Sequence, residues 1–143
     1  MDSYNPAMHI WFVDDRASNR AAWLASFPDA IRNACELRVF ASVPELFAVL
    51  DTGAWPDVMF VDYFLDGHLG SEVVDRLRAG PKAPPLIIAH SSLGIANEGM
   101  VENGAHLAMD KVKGGSTIPS VAAAFRTPAD FEHLIRQHAT QDE

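Results

Sequence analysis

The stretch VMFVDYFLDGHLG, residues 58–70, decides the reading of this chain. Four apolar residues, Val58 to Val61, suit a strand buried on both faces. The run then stops at a carboxylate, Asp62, and a loop follows that holds Asp66, Gly67 and Gly70. A solvated strand-end acid explains Asp62 alone. A reactive carboxylate explains it together with what surrounds it.

Working outward, apolar runs alternate with helical patterns. MHIWFV (8–13), LRVFA (37–41), DVMFVD (57–62), PLIIAH (85–90) and AHLAM (105–109) read as strands. Between them, 17–27 reads as a helix with Trp23, Leu24 and Phe27 on one face. In 42–53, Ser42 and Glu45 make a capping-box pair, and Val43, Leu46, Phe47 and Leu50 form the apolar stripe. Residues 71–80 bury Val73, Val74 and Leu77, and 93–103 is a weak helix interrupted by Gly94 and Gly99. Residues 128–139 form a last helix with Phe131, Leu134, Ile135 and His138 on one face. Strands alternating with helices predict a doubly wound α/β fold: a five-stranded parallel sheet with helices on both faces.

The 143 residues suit a single domain, with a core at about 8–139 and an extended loop or extra helix at about 112–127. A formal net charge of -8 argues against direct nucleic-acid binding, and no basic helix-turn-helix is visible. One cysteine, Cys35, excludes an intramolecular disulfide and fits a reducing compartment. The N-terminus lacks the pattern of a signal peptide, and no apolar run approaches the roughly 18 residues that span a bilayer. A cytoplasmic protein without membrane insertion is expected.

In doubly wound sheets, ligands sit beyond the carboxyl ends of the strands. Those ends carry Asp14 and Asp15, then Asp62, then His90, Ser91 and Ser92, then Asp110 and Lys111. Clustered carboxylates repel unless a cation sits among them, and an all-oxygen site suits Mg²⁺. A carboxylate is also a nucleophile toward phosphorus, and a metal and a lysine neutralise the transferring phosphoryl group. The other five histidines have no metal-ligand spacing.

This set, in order and each at its strand end, resembles the receiver domain of two-component response regulators, closely over residues 8–112 and loosely over the last helix. The resemblance implies the flavodoxin-like strand order 2-1-3-4-5. It places the acidic pair on Asp14 and Asp15, the phosphoacceptor on Asp62, the hydroxyl on Ser91 and the lysine on Lys111. Gly67 and Gly70 match glycines five and eight residues after the acceptor, and Gly104 and Ala105 match the approach to the lysine. Asp14, Asp15 and Asp62 would hold Mg²⁺. Three positions depart from the pattern: Asp66 stands for a proline, Val112 for the proline of a cis peptide, and Ala108 for the aromatic switch residue.

The resemblance implies a stand-alone phosphoacceptor, not an enzyme. Its partners would be a histidine kinase or histidine phosphotransfer protein and an unidentified downstream protein, and homodimerisation is left open. Without an aromatic at 108, the response is expected in 112–127 and in 93–103. Two alternatives stand beside this reading. One is a pseudo-receiver regulated by binding alone. The other is a phosphatase of the haloacid-dehalogenase type, which needs a second aspartate where this chain has Phe64.

Overall fold

The computed structural model describes residues 7–111, 121 and 123–139. Five strands, β1 (Met8–Val13), β2 (Cys35–Phe40), β3 (Val58–Val61), β6 (Leu86–Ala89) and β7 (Leu107–Ala108), form one sheet in the order β2-β1-β3-β6-β7. All its pairings are parallel. This is the expected 2-1-3-4-5 topology, because β4 (Phe64–Leu65) and β5 (His68–Leu69) stand apart as a small antiparallel hairpin. The loop after Asp62 is thus partly ordered. Its two-residue turn closes at Gly67, whose φ of +75° falls where side chains are rarely tolerated.

The helices are α1 (Ala17–Ser26), α2 (Asp29–Ala34), α3 (Val43–Asp51), α4 (Gly70–Ala79), α5 (Gly94–Glu102) and α6 (Pro128–Ala139). The short α2 is an addition to the sequence expectation, and β2 starts at Cys35, earlier than the expected Leu37. Its six residues carry a single apolar anchor, Ile31, so no helical stripe announces it. Ser42 caps α3 as expected, its hydroxyl accepting from Glu45 N–H at 3.2 Å. Glu45 Oε2 reaches back to Ala41 N–H, one residue before the cap.

Alternate residues of each central strand point to opposite faces. Trp11, Val13, Met59, Val61, Ile87 and Ala89 pack under α3, α4 and α5. Ile10, Phe12, Val58, Phe60, Leu86 and Ile88 pack against Trp23, Ile31 and Phe131 of the other helices and against Phe27, just after α1. Both faces are therefore buried, which is why β3 and β6 are apolar throughout. Most of 112–127 lies outside the described residues, as does Val112. Within that stretch Val121 and Phe125 are fully buried in the second core, and Phe125 stacks on Phe131 with ring centroids 4.0 Å apart. This part of the segment packs on its own domain.

Gly70 makes the close approach that locks the hairpin to β3. Its N–H donates to Tyr63 C=O at 2.6 Å. A Cβ there would lie 2.3 Å from the Asp62 carbonyl oxygen and 2.7 Å from Met100 Sδ. The sulfur can shift, but the strand-end carbonyl cannot move without moving Asp62. Gly70→Ala is therefore expected to lower stability by about 1–3 kcal/mol, the usual cost of overpacking, measured by urea denaturation. Wild-type stability in this variant would contradict the packing described.

Candidate functional site

The site grows from the ends of the sheet ladder. Asp14 N–H donates to Phe40 C=O, Asp62 N–H to Val13 C=O, and His90 N–H to Val61 C=O. Each residue is thus one step beyond its strand yet still held by the neighbouring strand. Beyond β7, Lys111 N–H donates to Ser91 C=O at 3.0 Å. Because β1 lies between β2 and β3 while the chain winds both ways from it, Asp14 and Asp62 emerge at the switch in strand order.

The structure brings Asp14, Asp15, Asp62 and Lys111 together. One carboxylate oxygen from each aspartate lies within 4.8 Å of the others, a spacing that suits a single cation. Asp14 is fully buried, Asp62 is 7% exposed and Asp15 is exposed. Lys111, itself buried, places Nζ 2.7 Å from Asp14 Oδ2 and 3.1 Å from Asp62 Oδ1. Burial pushes the Asp62 carboxyl up to about 6; the Lys111 ammonium opposes this, and the nearby Asp14 carboxylate adds to it.

Asp14 is held by more than Lys111. Its Oδ1 accepts from Arg16 N–H at 2.8 Å, and the buried Asn19 amide donates to both its oxygens at 3.2 and 3.1 Å. Arg20 Nη1 donates to its backbone carbonyl. Asp15 Oδ2 accepts from Asp66 N–H at 3.1 Å, so the hairpin turn is tied to the acidic pair. At Asp66, where the resemblance calls for proline, the backbone N–H is in use, and proline lacks that donor.

The two serines separate clearly. Ser91 is buried and Ser92 exposed. The Ser91 hydroxyl accepts from Leu93 N–H at 3.2 Å, and its backbone is joined to Lys111. His90 is hydrogen-bonded on one side of its ring. Nδ1 bonds to the Met109 carbonyl, and Nε2 has no partner among the described residues. The ring sits edge-on to Phe12 and Phe60. Burial there pulls its pKa down to about 4, against the opposing pull of the Met109 carbonyl, so the imidazole is neutral near pH 7. Phe64 is 56% exposed on the hairpin.

Sequence reading missed two side chains of the site, Asn19 and Asn97. Asn19 follows Asp14 by five residues, within the first turn of α1, and this was its only signal. Asn97 lies on α5 and is 1% exposed. A polar residue at a buried position of a glycine-interrupted helix was the clue there.

The clustered donor set is all carboxylate, which fits Mg²⁺. No protein-family model and no curated protein matches the chain. Solved structures do. The N-terminal domain of an uncharacterized protein from Wolinella succinogenes is 25% identical, with a TM-score of 0.65, over 96% of this chain and 100% of that one. The response regulator domain of Thermotoga maritima CheB is 24% identical, with a TM-score of 0.64, over 92% and 96%. The response regulator TrrA from T. maritima, in complex with Mg²⁺ and BeF, is 16% identical, with a TM-score of 0.61, over 95% and 99%. The order of the strands, the acids at the switch point and these likenesses lead to one conclusion: the chain has the CheY-like receiver fold of response regulators.

Proposed function

We propose that this protein is a response-regulator receiver that accepts a phosphoryl group on Asp62 and signals by binding another protein. The observation that carries the proposal is the buried Asp62 carboxylate, which shares the Lys111 ammonium with Asp14 at the switch point. In the step proposed, an Asp62 oxygen forms the new O–P bond. The P–N bond of a phosphohistidine on a kinase or phosphotransfer protein breaks, and the imidazole keeps the electron pair. The phosphohistidine reading of the donor rests on the receiver likeness.

Asp14, Asp15 and Asp62 would hold Mg²⁺, which supplies positive charge against the phosphoryl oxygens. Lys111 would turn from Asp62, whose carboxylate charge is lost on forming the acyl phosphate, to a phosphoryl oxygen. The Ser91 hydroxyl would donate to another. Phosphoryl transfer asks little covalent chemistry of the protein, so positioning and charge carry the rate. The phosphatase alternative lacks its second aspartate, since Phe64 stands there on the exposed hairpin. The departures at Asp66, Ala108 and Val112 favour the pseudo-receiver, and the meeting of Asp14, Asp15, Asp62 and Lys111 favours the phosphoacceptor over it.

Incubation with acetyl phosphate and Mg²⁺ is expected to add one phosphoryl group by intact mass. The gain should vanish in Asp62→Asn and in the presence of a chelator. No gain in wild type, repeated with a histidine-kinase donor, would refute the proposal and favour an interaction module.

A second outcome follows from the raised carboxyl pKa of Asp62. In the folded protein it binds its proton up to about pH 6, against an ordinary value of 3.8. Between these values the folded state holds a proton that the unfolded chain has lost, so Asp62 destabilises increasingly as pH rises through this window. The cost is complete above pH 6 and absent below 3.8. Asp62→Asn is therefore expected to stabilise the metal-free protein at pH 7.5 by on the order of 1–3 kcal/mol. Lys111 keeps Asp14 as partner in that variant. The gain should shrink as pH falls from 6 to 4, read by urea denaturation at each pH. Added Mg²⁺ should raise the stability of wild type more than that of Asp62→Asn.

A further inference from the structure

The aromatic that receivers use to transmit the state of the site is absent, and Ala108 stands exposed in its place. We propose that Asn97 of α5 is the positioning residue for Ser91 and the link by which the site moves α5. This rests on the phosphoacceptor reading above.

Asn97 grips Ser91 on both sides of its backbone. Its Oδ1 accepts from Ser91 N–H at 2.8 Å, and its Nδ2 donates to Ser91 C=O at 2.9 Å. A side-chain amide that pairs with both backbone groups of one residue fixes that residue's position and orientation, as a neighbouring strand would. Nδ2 also donates to Asp110 Oδ1. The residues on Asn97 are therefore Ser91, whose hydroxyl is proposed to meet the phosphoryl group, and Asp110, next to Lys111. Lys111 N–H closes the ring on the same Ser91 carbonyl. The knot is buried at Ser91 and Asn97, so breaking its hydrogen bonds leaves unsatisfied groups and is costly. A displacement of Ser91 toward Asp62 thus carries Asn97 with it.

A second line reaches the same helix from the acceptor side. Met100, one turn after Asn97 and fully buried, lies against Gly70, whose N–H holds Tyr63 C=O just after Asp62. The helix itself is suited to move as a unit. Gly94 and Gly99 lower its intrinsic stability, and its N-cap residue Leu93 supplies no side-chain hydrogen bond. Its first turn carries Ile95, 79% exposed, so a shift of α5 changes the surface directly above the site loops.

The test compares wild type, Asn97→Ala and Asp110→Ala with two readouts. Intact mass after acetyl phosphate and Mg²⁺ reports acceptance. Hydrogen exchange of residues 94–102, with Mg²⁺ alone and with Mg²⁺ plus beryllofluoride, reports transmission. Wild type is expected to gain one phosphoryl group and to change its exchange in α5. Asp110→Ala is expected to keep the phosphoryl gain, Asn97→Ala to gain it more slowly because Ser91 is no longer held, and both to lose most of the α5 response. Asp110 is exposed, so its variant keeps the test sound if Asn97→Ala folds poorly. A purely structural Asn97 would lower the melting temperature of its variant and leave the α5 response intact. An intact response in both variants overturns the link and leaves the phosphoacceptor reading standing. No phosphoryl gain by wild type overturns both.

Discussion

The Lys111 ammonium between Asp14 and Asp62 is the interaction on which the rest of the structure depends. Two carboxylates at the end of a buried sheet repel one another where water cannot screen them well. Burial is the main reason that Asp62 holds its proton more tightly than an ordinary aspartate; Lys111 opposes it and the Asp14 carboxylate adds to it. Asn19, Arg16 N–H and Lys111 together surround the Asp14 oxygens with donors. The result is asymmetric. Asp14 is anchored, whereas Asp62 keeps Lys111 as the single side-chain donor described for it.

The sheet makes this asymmetry possible. Its two faces are sealed by different residues of the same strands, so the strands cannot slide or tilt without opening a core on one side. On one face the rings of Phe12, Trp23, Phe27, Phe60, Phe125 and Phe131 interlock, mostly edge to face, and His90 is enclosed among them as a neutral ring. A rigid platform of this kind holds the strand ends in place while the loops beyond them vary. The loops are where this chain departs from the receiver pattern: Asp66 donates its N–H to Asp15, and Ala108 leaves the edge strand without an aromatic. Transmission through a buried amide on α5 is consistent with such a division, since the amide binds loop backbone and not the platform.

The sequence by itself determined the layers, the strand order once the resemblance was drawn, and the strand-end residues of the site. The physical reason is that these features are local or periodic. A strand buried on both faces must be continuously apolar, and its end must be marked by the first polar residue, as Val58–Val61 and Asp62 show. The capping of α3 by Ser42 was legible for the same reason, because a cap is made by residues three apart.

Only the tertiary structure decided what depends on residues far apart in the chain. Lys111 meets Asp14 across 97 positions, and the Asp66 N–H meets Asp15 across 51. Neither pairing has a sequence period. Ser91 and Ser92 carry the same hydroxyl, and only the fold separates them, burying the first and exposing the second. The Asn97 amide escaped notice because an asparagine in a weak helix looks like a solvated residue until the fold buries it against the backbone of Ser91. The small helix α2 and the β4–β5 hairpin are too short for a hydrophobic period to show, and they form because the packed sheet and the Asp14–Asp15 loop give them something to close against.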